Sequence, residues 1–255
     1  MKNFYPFLIL LVFSCVNKQS TDENKLSLPP KEPTAVEKYY MENVNDSLQS
    51  ISIGSVSSGK LQNASIIPYQ GENFKYFDEG SYLGGRAFTN AVVAKITVDT
   101  YEALHKKGVN RFFRVMEFSR KEGGKIFPHR THQNGLSVDF MMPLMKNNEP
   151  CYELDEKGAS HYLLDFDRNG AYTENPEIKI DFDAAAFHLL ELEKQARKNG
   201  MRIHKVIFNT YLKDELYASE SGKKLLSSGI YITRNLSKMI NDLHDDHYHV
   251  DFVKL

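Results

Sequence analysis

Residues 244–253 read His-Asp-Asp-His-Tyr-His-Val-Asp-Phe-Val, and this stretch is the most informative part of the sequence for the fold. Side chains alternate between the two faces of a β-strand, so His247, His249 and Asp251 share one face. The opposite face is apolar enough to pack into a core, since it carries Tyr248, Val250 and Phe252. We therefore predict a strand over 246–253 whose polar face presents two imidazoles, which are good ligands for a transition metal.

A second polar pattern, His-Arg-Thr-His-Gln-Asn-Gly-Leu-Ser-Val-Asp, occupies 129–139. Residues 136–141 alternate as a strand does, with Asp139 on the polar face, and Gly135 allows the chain to turn back after His132. A catalytic zinc takes three nitrogen or oxygen ligands and keeps one position open for water. The set His132, Asp139 and His249 would supply those ligands, so we predict one zinc ion per chain, bound on the sheet.

The neighbouring histidines indicate the catalytic groups. His247 would lie beside the metal, placed to take a proton from the water. His129 and His244 lie three residues before His132 and His247, near enough to act as accessory donors or acceptors. The other histidines stand in ordinary helix or strand contexts and are predicted to be structural: His105, His161, His188 and His204.

The body mixes helices and strands without strict alternation, which favours the α+β class. We predict a single domain with a central, mostly antiparallel sheet flanked by helices. The predicted helices cover about 89–107, 183–199 with Asp183 as N-cap, 211–218 and 234–243. The other predicted strands are 111–118 and 202–208, with a hairpin of 161–166 and 178–182 around Asn169-Gly170. The Asp-x-Asp-x-Asn-Gly run that ends at Gly170 matches half of a calcium loop, but Pro176 stands where the last ligand is needed, so a turn is predicted.

The amino terminus is predicted to be a targeting signal rather than part of the fold. Residues 1–14 combine Lys2 with an apolar run too short to span a bilayer, which is typical of a signal peptide. The following Val-Phe-Ser-Cys at 12–15 resembles the lipobox of bacterial lipoproteins, whose cysteine is lipidated. Cys15 would then anchor the chain in the bacterial cell envelope, facing the periplasm or the surface, with the outer membrane as the expected location. Residues 15–48 would form a disordered tether and 49–255 the domain that carries the predicted zinc site, the alternative being an ordinary cleaved signal or an uncleaved anchor.

The composition limits the classes of partner and scaffold. Lys and Arg number 32 against 33 Asp and Glu, so the chain lacks the strongly basic balance that many nucleic-acid-binding proteins use. We therefore expect no nucleic acid as partner. The two cysteines, Cys15 and Cys151, exclude a disulfide-rich scaffold and a cysteine-based zinc site.

The two histidine clusters together carry a resemblance to a known family. His132 and Asp139, with His247-Tyr-His249, form the paired signature of the lysostaphin, D-Ala-D-Ala peptidase and hedgehog-like metallopeptidases. More narrowly, 129–139 and 244–250 resemble the penicillin-insensitive murein endopeptidases. The segments 52–55 and 116–120 are also similar to that family. The resemblance covers roughly 51–255, although the family's usual cysteines are absent and the segment 145–182 differs.

This resemblance implies a zinc peptidase that hydrolyses D-alanyl to meso-diaminopimelyl cross-links in peptidoglycan. It implies the same residue roles: His132, Asp139 and His249 as ligands, His247 as base, and His129 and His244 as accessory histidines. In the segment 116–120, Glu117 stands where the family usually has Asp. Glu117 and Arg120 are expected to contact the substrate.

Other functions stay open at this point. The same residues could serve a zinc DD-carboxypeptidase or another cell-wall amide hydrolase. They could belong to an envelope lipoprotein that holds zinc and peptidoglycan without catalysis, or to a structural lipoprotein whose histidines bind nothing. The presence of His247 favours an enzyme, because a non-catalytic domain has no need of the base.

Overall fold

The computed structural model describes residues 32–45 and 47–255, whose body runs from Pro33 to Leu255. The predicted signal peptide and the predicted lipidation site, Cys15, lie outside the described residues. Within the described ranges, no helix has both the length and the apolar character that crossing a bilayer requires.

The strands, in chain order, are β1 (Ile51–Ser55), β2 (Ser58–Gln62), β3 (Ser65–Ile66), β4 (Phe74–Tyr76), β5 (Phe88–Thr89), β6 (Phe113–Val115), β7 (Ser137–Met141), β8 (Leu144–Lys146), β9 (Glu149–Cys151), β10 (Ala171–Tyr172), β11 (Asn175–Ile180), β12 (Met201–Ile207) and β13 (His247–Lys254). The α-helices are α1 (Ala35–Asn43), α2 (Glu79–Leu83), α3 (Ala91–Lys106), α4 (Phe182–Lys198), α5 (Lys213–Ala218), α6 (Glu220–Ser227) and α7 (Lys238–Asp242). Segments of 3-10 helix cover Asp155–Leu163, with a break at Gly158, and Thr210–Leu212.

A five-stranded sheet contains both strands that follow from the histidine patterns. Its spatial order is β12-β13-β7-β6-β4, and neighbours are antiparallel except for the parallel pair of β6 and β4. Strands β13 and β7 pair so that His249 lies opposite Asp139 and His247 lies opposite Met141. The predicted α+β class and mostly antiparallel central sheet are confirmed.

The apolar face of this sheet packs against α4. Tyr248 and Phe140 stack with their ring centroids 5.6 Å apart, and the Tyr248 hydroxyl lies 2.8 Å from Nδ1 of His188 in α4. Val138 and Val250 are fully buried on the same face. Burial of each such side chain contributes about 1.5–3 kcal/mol. The alternation of the two strands therefore turns Asp139 and His249 toward the other side of the sheet.

Smaller sheets surround this centre. One has the order β10-β11-β8-β9, and the pairs β1–β2 and β3–β5 form two-stranded sheets. The turn of the β1–β2 hairpin supports the loop before β7, because Gln133 N–H donates to the Val56 carbonyl at 2.9 Å. The hairpin thereby helps to fix the position of the loop that contains His132.

Helix α3 agrees with the prediction, and Gly108 follows its end at a φ of 77°. Helix α4 begins earlier than predicted, since its N-cap is Asp181 and not Asp183. The Asp181 carboxylate accepts from Ala184 N–H at 2.9 Å and from the Arg111 guanidinium at 2.5 Å. Arg111 comes from a distant part of the chain, so this choice between two nearby aspartates depends on tertiary packing.

The predicted hairpin of 161–166 with 178–182 is wrong. Residues 161–163 belong to the 3-10 helix that ends at Leu163, and β11 pairs instead with β10 and β8. The turn at Asn169-Gly170 does form, because the Asp167 carboxylate accepts from the N–H groups of Asn169 and Ala171 at 2.8 and 2.9 Å. An aspartate closing its own turn in this way is a common local structure, and the prediction of a turn is confirmed.

The short helices near the carboxyl end differ in part from expectation. Helix α5 and the 3-10 turn before it cover the predicted 211–218, whereas α6 was not predicted. Helix α7 begins at Lys238 rather than near 234, because the Ser237 hydroxyl caps it by accepting from Ile240 N–H.

Helix α1 lies within the segment 15–48 for which the sequence predicts a disordered tether. Thr34 and Glu37 form a reciprocal capping box at its start. On its inner face Val36 is buried, and the Tyr39 ring lies 5.9 Å from that of Tyr82. The tether prediction is therefore wrong for 35–43, because apolar side chains at helical spacing pack there against the body of the protein.

Candidate metal centre

Three donor atoms on the polar side of the central sheet lie almost in mutual contact. His249 Nδ1 is 2.8 Å from Asp139 Oδ1 and 3.1 Å from His132 Nε2, and His132 Nε2 is 3.2 Å from Asp139 Oδ1. Donors bound to one zinc at about 2.0–2.1 Å in tetrahedral geometry are separated by about 3.3–3.4 Å. The three side chains are buried. These residues therefore fit a single metal ion with only small movements.

Local backbone structure positions each of these donors. Asp139 and His249 face each other across the β7–β13 pair, so the sheet register brings them together. His132 comes from the preceding loop and has a φ of 67°, a conformation that costs a non-glycine residue of the order of 1–3 kcal/mol. Gly135 follows at a φ of 73°, where an added Cβ would lie 2.8 Å from the Asn90 nitrogen. The strained backbone conformation of His132 is the one that directs its imidazole toward the sheet.

A carboxylate holds the far side of the His249 ring. Asp251 Oδ1 is 2.7 Å from His249 Nε2 and also accepts from the Ser137 hydroxyl at 2.6 Å, while Lys205 Nζ is 2.9 Å from the other oxygen. This contact fixes the ring with Nδ1 toward Asp139. Burial by itself would lower the pKa of His249, but the charges of Asp251 and Asp139, and the hydrogen bonds to them, raise it to about 10. Binding of a metal through Nδ1 must therefore displace a proton.

Asp139 is ionised in this setting. Burial would raise its pKa, but the imidazoles of His132 and His249 hold the pKa well below the usual range. Burial lowers the pKa of His132, which favours the neutral imidazole that a metal requires. Asp139 Oδ2 and His132 Nδ1 have no hydrogen-bond partner among the described residues. The donor set thus combines one carboxylate with two imidazoles, a typical zinc environment.

His129 is a fourth group within reach of this centre. Its Nδ1 lies 3.5 Å from Asp139 Oδ2. One potential ligand atom from each of His129, His132 and Asp139 lies within 4.8 Å of the other two. Its Nε2 lies 2.5 Å from Glu117 Oε2. The ring is thus held between two carboxylates.

Glu117 is itself anchored by a residue that the sequence did not single out. The Arg86 guanidinium donates to both oxygens of Glu117, and the Ser81 hydroxyl donates to one of them at 3.0 Å. Burial would raise the pKa of Glu117, but His129 and Arg86 lower it to about 2. Glu117 is only 5% exposed, so the structure places it behind His129 rather than at the surface expected of a substrate-binding residue. Arg120, the other residue expected to contact substrate, is exposed.

His247 shares the polar face of β13 with His249 and has its own carboxylate partner. Its Nδ1 forms a short hydrogen bond with Asp246. Burial lowers the pKa of His247 to about 4 and raises that of Asp246 to about 7, so the imidazole is neutral at pH 7. With Asp246 ionised, Nδ1–H donates to it and Nε2 keeps its lone pair, which is the arrangement of a general base with an orienting carboxylate. Asp246 immediately precedes the strand, and strand alternation gave no reason to pair it with His247.

His244 lies beside His247, with ring centroids 4.8 Å apart. Its Nδ1–H donates to the Ile240 carbonyl at 2.6 Å, which leaves Nε2 as an acceptor. Burial and the neighbouring His247 lower the pKa of His244 to about 3, so this imidazole is also neutral. The structure therefore brings together all six of the histidine and aspartate side chains predicted for the centre: His129, His132, Asp139, His244, His247 and His249.

Comparison with known protein families gives a match to the part of the chain that contains the metal centre. A family model described as penicillin-insensitive murein endopeptidase matches residues 52–252, which is most of the chain and contains every residue of the centre. A search of curated proteins finds no matching relative.

Proposed function

The chain belongs to the penicillin-insensitive murein endopeptidase family, and on that basis we propose that it is a zinc-dependent enzyme that hydrolyses D-alanyl to meso-diaminopimelyl cross-links in peptidoglycan. The observation that carries the zinc part of the proposal is the close approach of three donor atoms. His132, Asp139 and His249 bring two nitrogens and one oxygen to 2.8–3.2 Å of one another. We propose that these residues hold one zinc ion.

The chemistry follows from the residues around the donors. When bound, zinc lowers the pKa of a coordinated water to about 7 and polarises a carbonyl. Nε2 of His247 takes a proton from the attacking water and returns it to the leaving amine, and Asp246 in its ionised form keeps the proton of the ring on Nδ1. The C–N bond then breaks, and the products are a new carboxylate and a free amine.

The accessory histidines have distinct positions in this scheme. His129 is held by Glu117, which Arg86 anchors in turn, and its Nδ1 lies 3.5 Å from Asp139 Oδ2. His244 presents Nε2 as an acceptor beside His247 and can orient the N–H of the leaving amine. Arg120 is exposed and remains our candidate for binding a carboxylate of the substrate.

The location of the enzyme is a separate proposal that rests on sequence. We propose that Cys15 carries lipid and that the chain acts in the bacterial cell envelope, at the outer membrane. Palmitate labelling of the expressed chain, compared with a Cys15→Ser variant, tests this anchor.

A purified cross-linked muropeptide dimer tests the function. The full chain is incubated with the dimer in the presence of zinc or of a chelator, and the products are weighed by mass spectrometry. Two intact monomers, formed only without chelator, support the proposal. Loss of a terminal D-alanine alone indicates a carboxypeptidase, an unchanged dimer with bound zinc indicates a binding protein, and absence of stoichiometric zinc contradicts the metal site.

Matched variants locate the activity at the proposed site. His132→Ala and Asp139→Ala should remove both bound zinc and cleavage, because each leaves only two of the three donors. His204→Ala is the control, since His204 is an exposed histidine on β12. Retained hydrolysis in the first two variants would contradict the ligand assignment.

A further inference from the structure

Tyr162 packs against the histidines of the metal centre, although no pattern in the sequence indicates it. It belongs to the 3-10 helix Asp155–Leu163, within the segment 145–182 that differs from the family. Its ring meets the His247 ring edge to face, with centroids 5.0 Å apart and an interplanar angle of 85°. The ring of His129 is 6.1 Å away, and Phe77 packs on it at 5.7 Å. Tyr162 therefore lies between the proposed base and an accessory histidine.

The hydroxyl of Tyr162 is buried and has no hydrogen-bond partner among the described residues. Leaving a buried polar group unpaired costs about 1–3 kcal/mol, and native proteins keep few such groups. Two other buried tyrosines, by contrast, have paired hydroxyls. The Tyr82 hydroxyl donates to the Ile67 carbonyl at 2.8 Å, and that of Tyr248 meets His188. The Tyr162 hydroxyl is thus a free donor, carried by a ring that lies against the proposed base.

The chemistry of this hydroxyl restricts what the partner can be. Burial, with the negative charges of Asp139 and Glu117, raises the pKa of Tyr162 well above its usual range. The phenol therefore stays protonated and can donate a hydrogen bond. A preorganised donor is most valuable where negative charge develops during the reaction. In peptide hydrolysis that atom is the oxygen of the scissile carbonyl.

We propose that the Tyr162 hydroxyl donates a hydrogen bond to the scissile carbonyl oxygen as that oxygen becomes negatively charged. The inference rests on the proposed peptidase function and adds a catalytic residue to it. The water oxygen bonds to the carbonyl carbon, the π electrons move to the carbonyl oxygen, and Tyr162 keeps its proton throughout. When the C–N bond breaks, the amine takes its proton from His247.

The Tyr162→Phe variant tests this role, because it removes the donor and retains the ring. We expect kcat on the muropeptide dimer to fall about 100-fold, the low end for loss of an oxyanion donor, with KM little changed. Bound zinc should be unchanged. The melting temperature should be equal or higher, because the hydroxyl has no protein partner to lose. Affinity for a phosphinate analogue of the D-alanyl to diaminopimelyl bond should fall by the same factor as kcat/KM.

Tyr82→Phe is the matched control, since it removes a paired hydroxyl away from the centre. It should lower the melting temperature and leave kcat unchanged. A second measurement uses the wild-type chain. With tyrosine labelled with 13C at Cζ, the NMR chemical shift of Tyr162 should change when the phosphinate analogue binds.

The outcomes separate this inference from the function on which it rests. Wild-type turnover by Tyr162→Phe, or an unchanged Cζ shift on binding of the analogue, would overturn the role of Tyr162 while leaving the peptidase intact. Parallel loss of stability, zinc and activity in Tyr162→Phe would show a structural role and overturn it as well. If the wild-type chain binds no zinc and cleaves no dimer, the proposed function itself fails.

Discussion

Replacement of Asp251 by Asn tests how the metal centre is held. Asp251 is 1% exposed, and its Oδ1 lies 2.7 Å from Nε2 of His249, the nitrogen that faces away from the proposed metal. The carboxylate fixes the orientation of the ring and makes Nδ1 a better donor. Loss of such a partner typically weakens metal binding by about 10–100-fold. We therefore expect the zinc Kd of Asp251→Asn to rise by about that factor, equivalent to about 1.4–2.7 kcal/mol.

The assay is competition between the protein and a fluorescent zinc chelator at fixed pH and salt. Lys205→Met is the control, because it removes the cation at the other oxygen of Asp251 and leaves the bond to His249 in place. Lys205 is partly exposed, and Asp251 keeps its bonds to His249 and Ser137 in this variant, so zinc affinity should change by less than it does in Asp251→Asn. Asparagine keeps the size of the side chain, and a melting curve confirms that the variant is folded. Equal zinc affinity in wild type and Asp251→Asn would refute the argument that this carboxylate supports a metal ligand.

Three further perturbations address other groups of the site. His247→Ala should retain most of the zinc while kcat falls at least about 100-fold, as for loss of a general base, and a near-normal rate would assign the base elsewhere. Glu117→Gln leaves the half-buried charge of Arg86 without its ionised partner, so thermal unfolding should show a loss of about 1–3 kcal/mol, and an unchanged melting temperature would contradict a stabilising ion pair between Arg86 and Glu117. Burial raises the pKa of Asp245 to about 7, above its unfolded value, so the native state binds the proton more strongly and stability falls as the pH rises toward 7. Asp245→Asn should therefore melt at a higher temperature than wild type at pH 8, with the advantage shrinking toward pH 4; the opposite order would contradict this burial effect.

The sequence was sufficient to predict the parts of the site that depend on local pattern. Alternation along 246–253 placed His247 and His249 on one face, and β13 has that arrangement. The predicted helix at 89–107 also formed, because its apolar spacing and Gly108 are local signals. Such features need only the residues within one element, so one sequence contains them.

The residues that were missed come from segments far away in sequence or from irregular structure. Arg86 reaches Glu117 from a loop 31 residues earlier, and Tyr162 reaches His247 from a 3-10 helix. No periodicity in either segment predicts these contacts, because they depend on how the body folds over the sheet. The same reason explains the wrong hairpin at 161–166: His161 faces inward to contact the Asp246 carbonyl at 3.2 Å, and a short 3-10 helix provides that direction.

The geometry of the metal centre depends on the register between β13 and β7. Phe140 pairs with Tyr248 on the apolar face, one position away from the pair of Asp139 and His249 on the polar face. A slip of one residue would move His249 into the apolar face, where it could not meet Asp139. Such a slip would also expose the stacked aromatic pair, at a cost of about 1.5–3 kcal/mol for each side chain. Packing of the core against α4 therefore stabilises the one register in which the donors meet, and the centre is preorganised by apolar contacts that touch neither metal nor substrate.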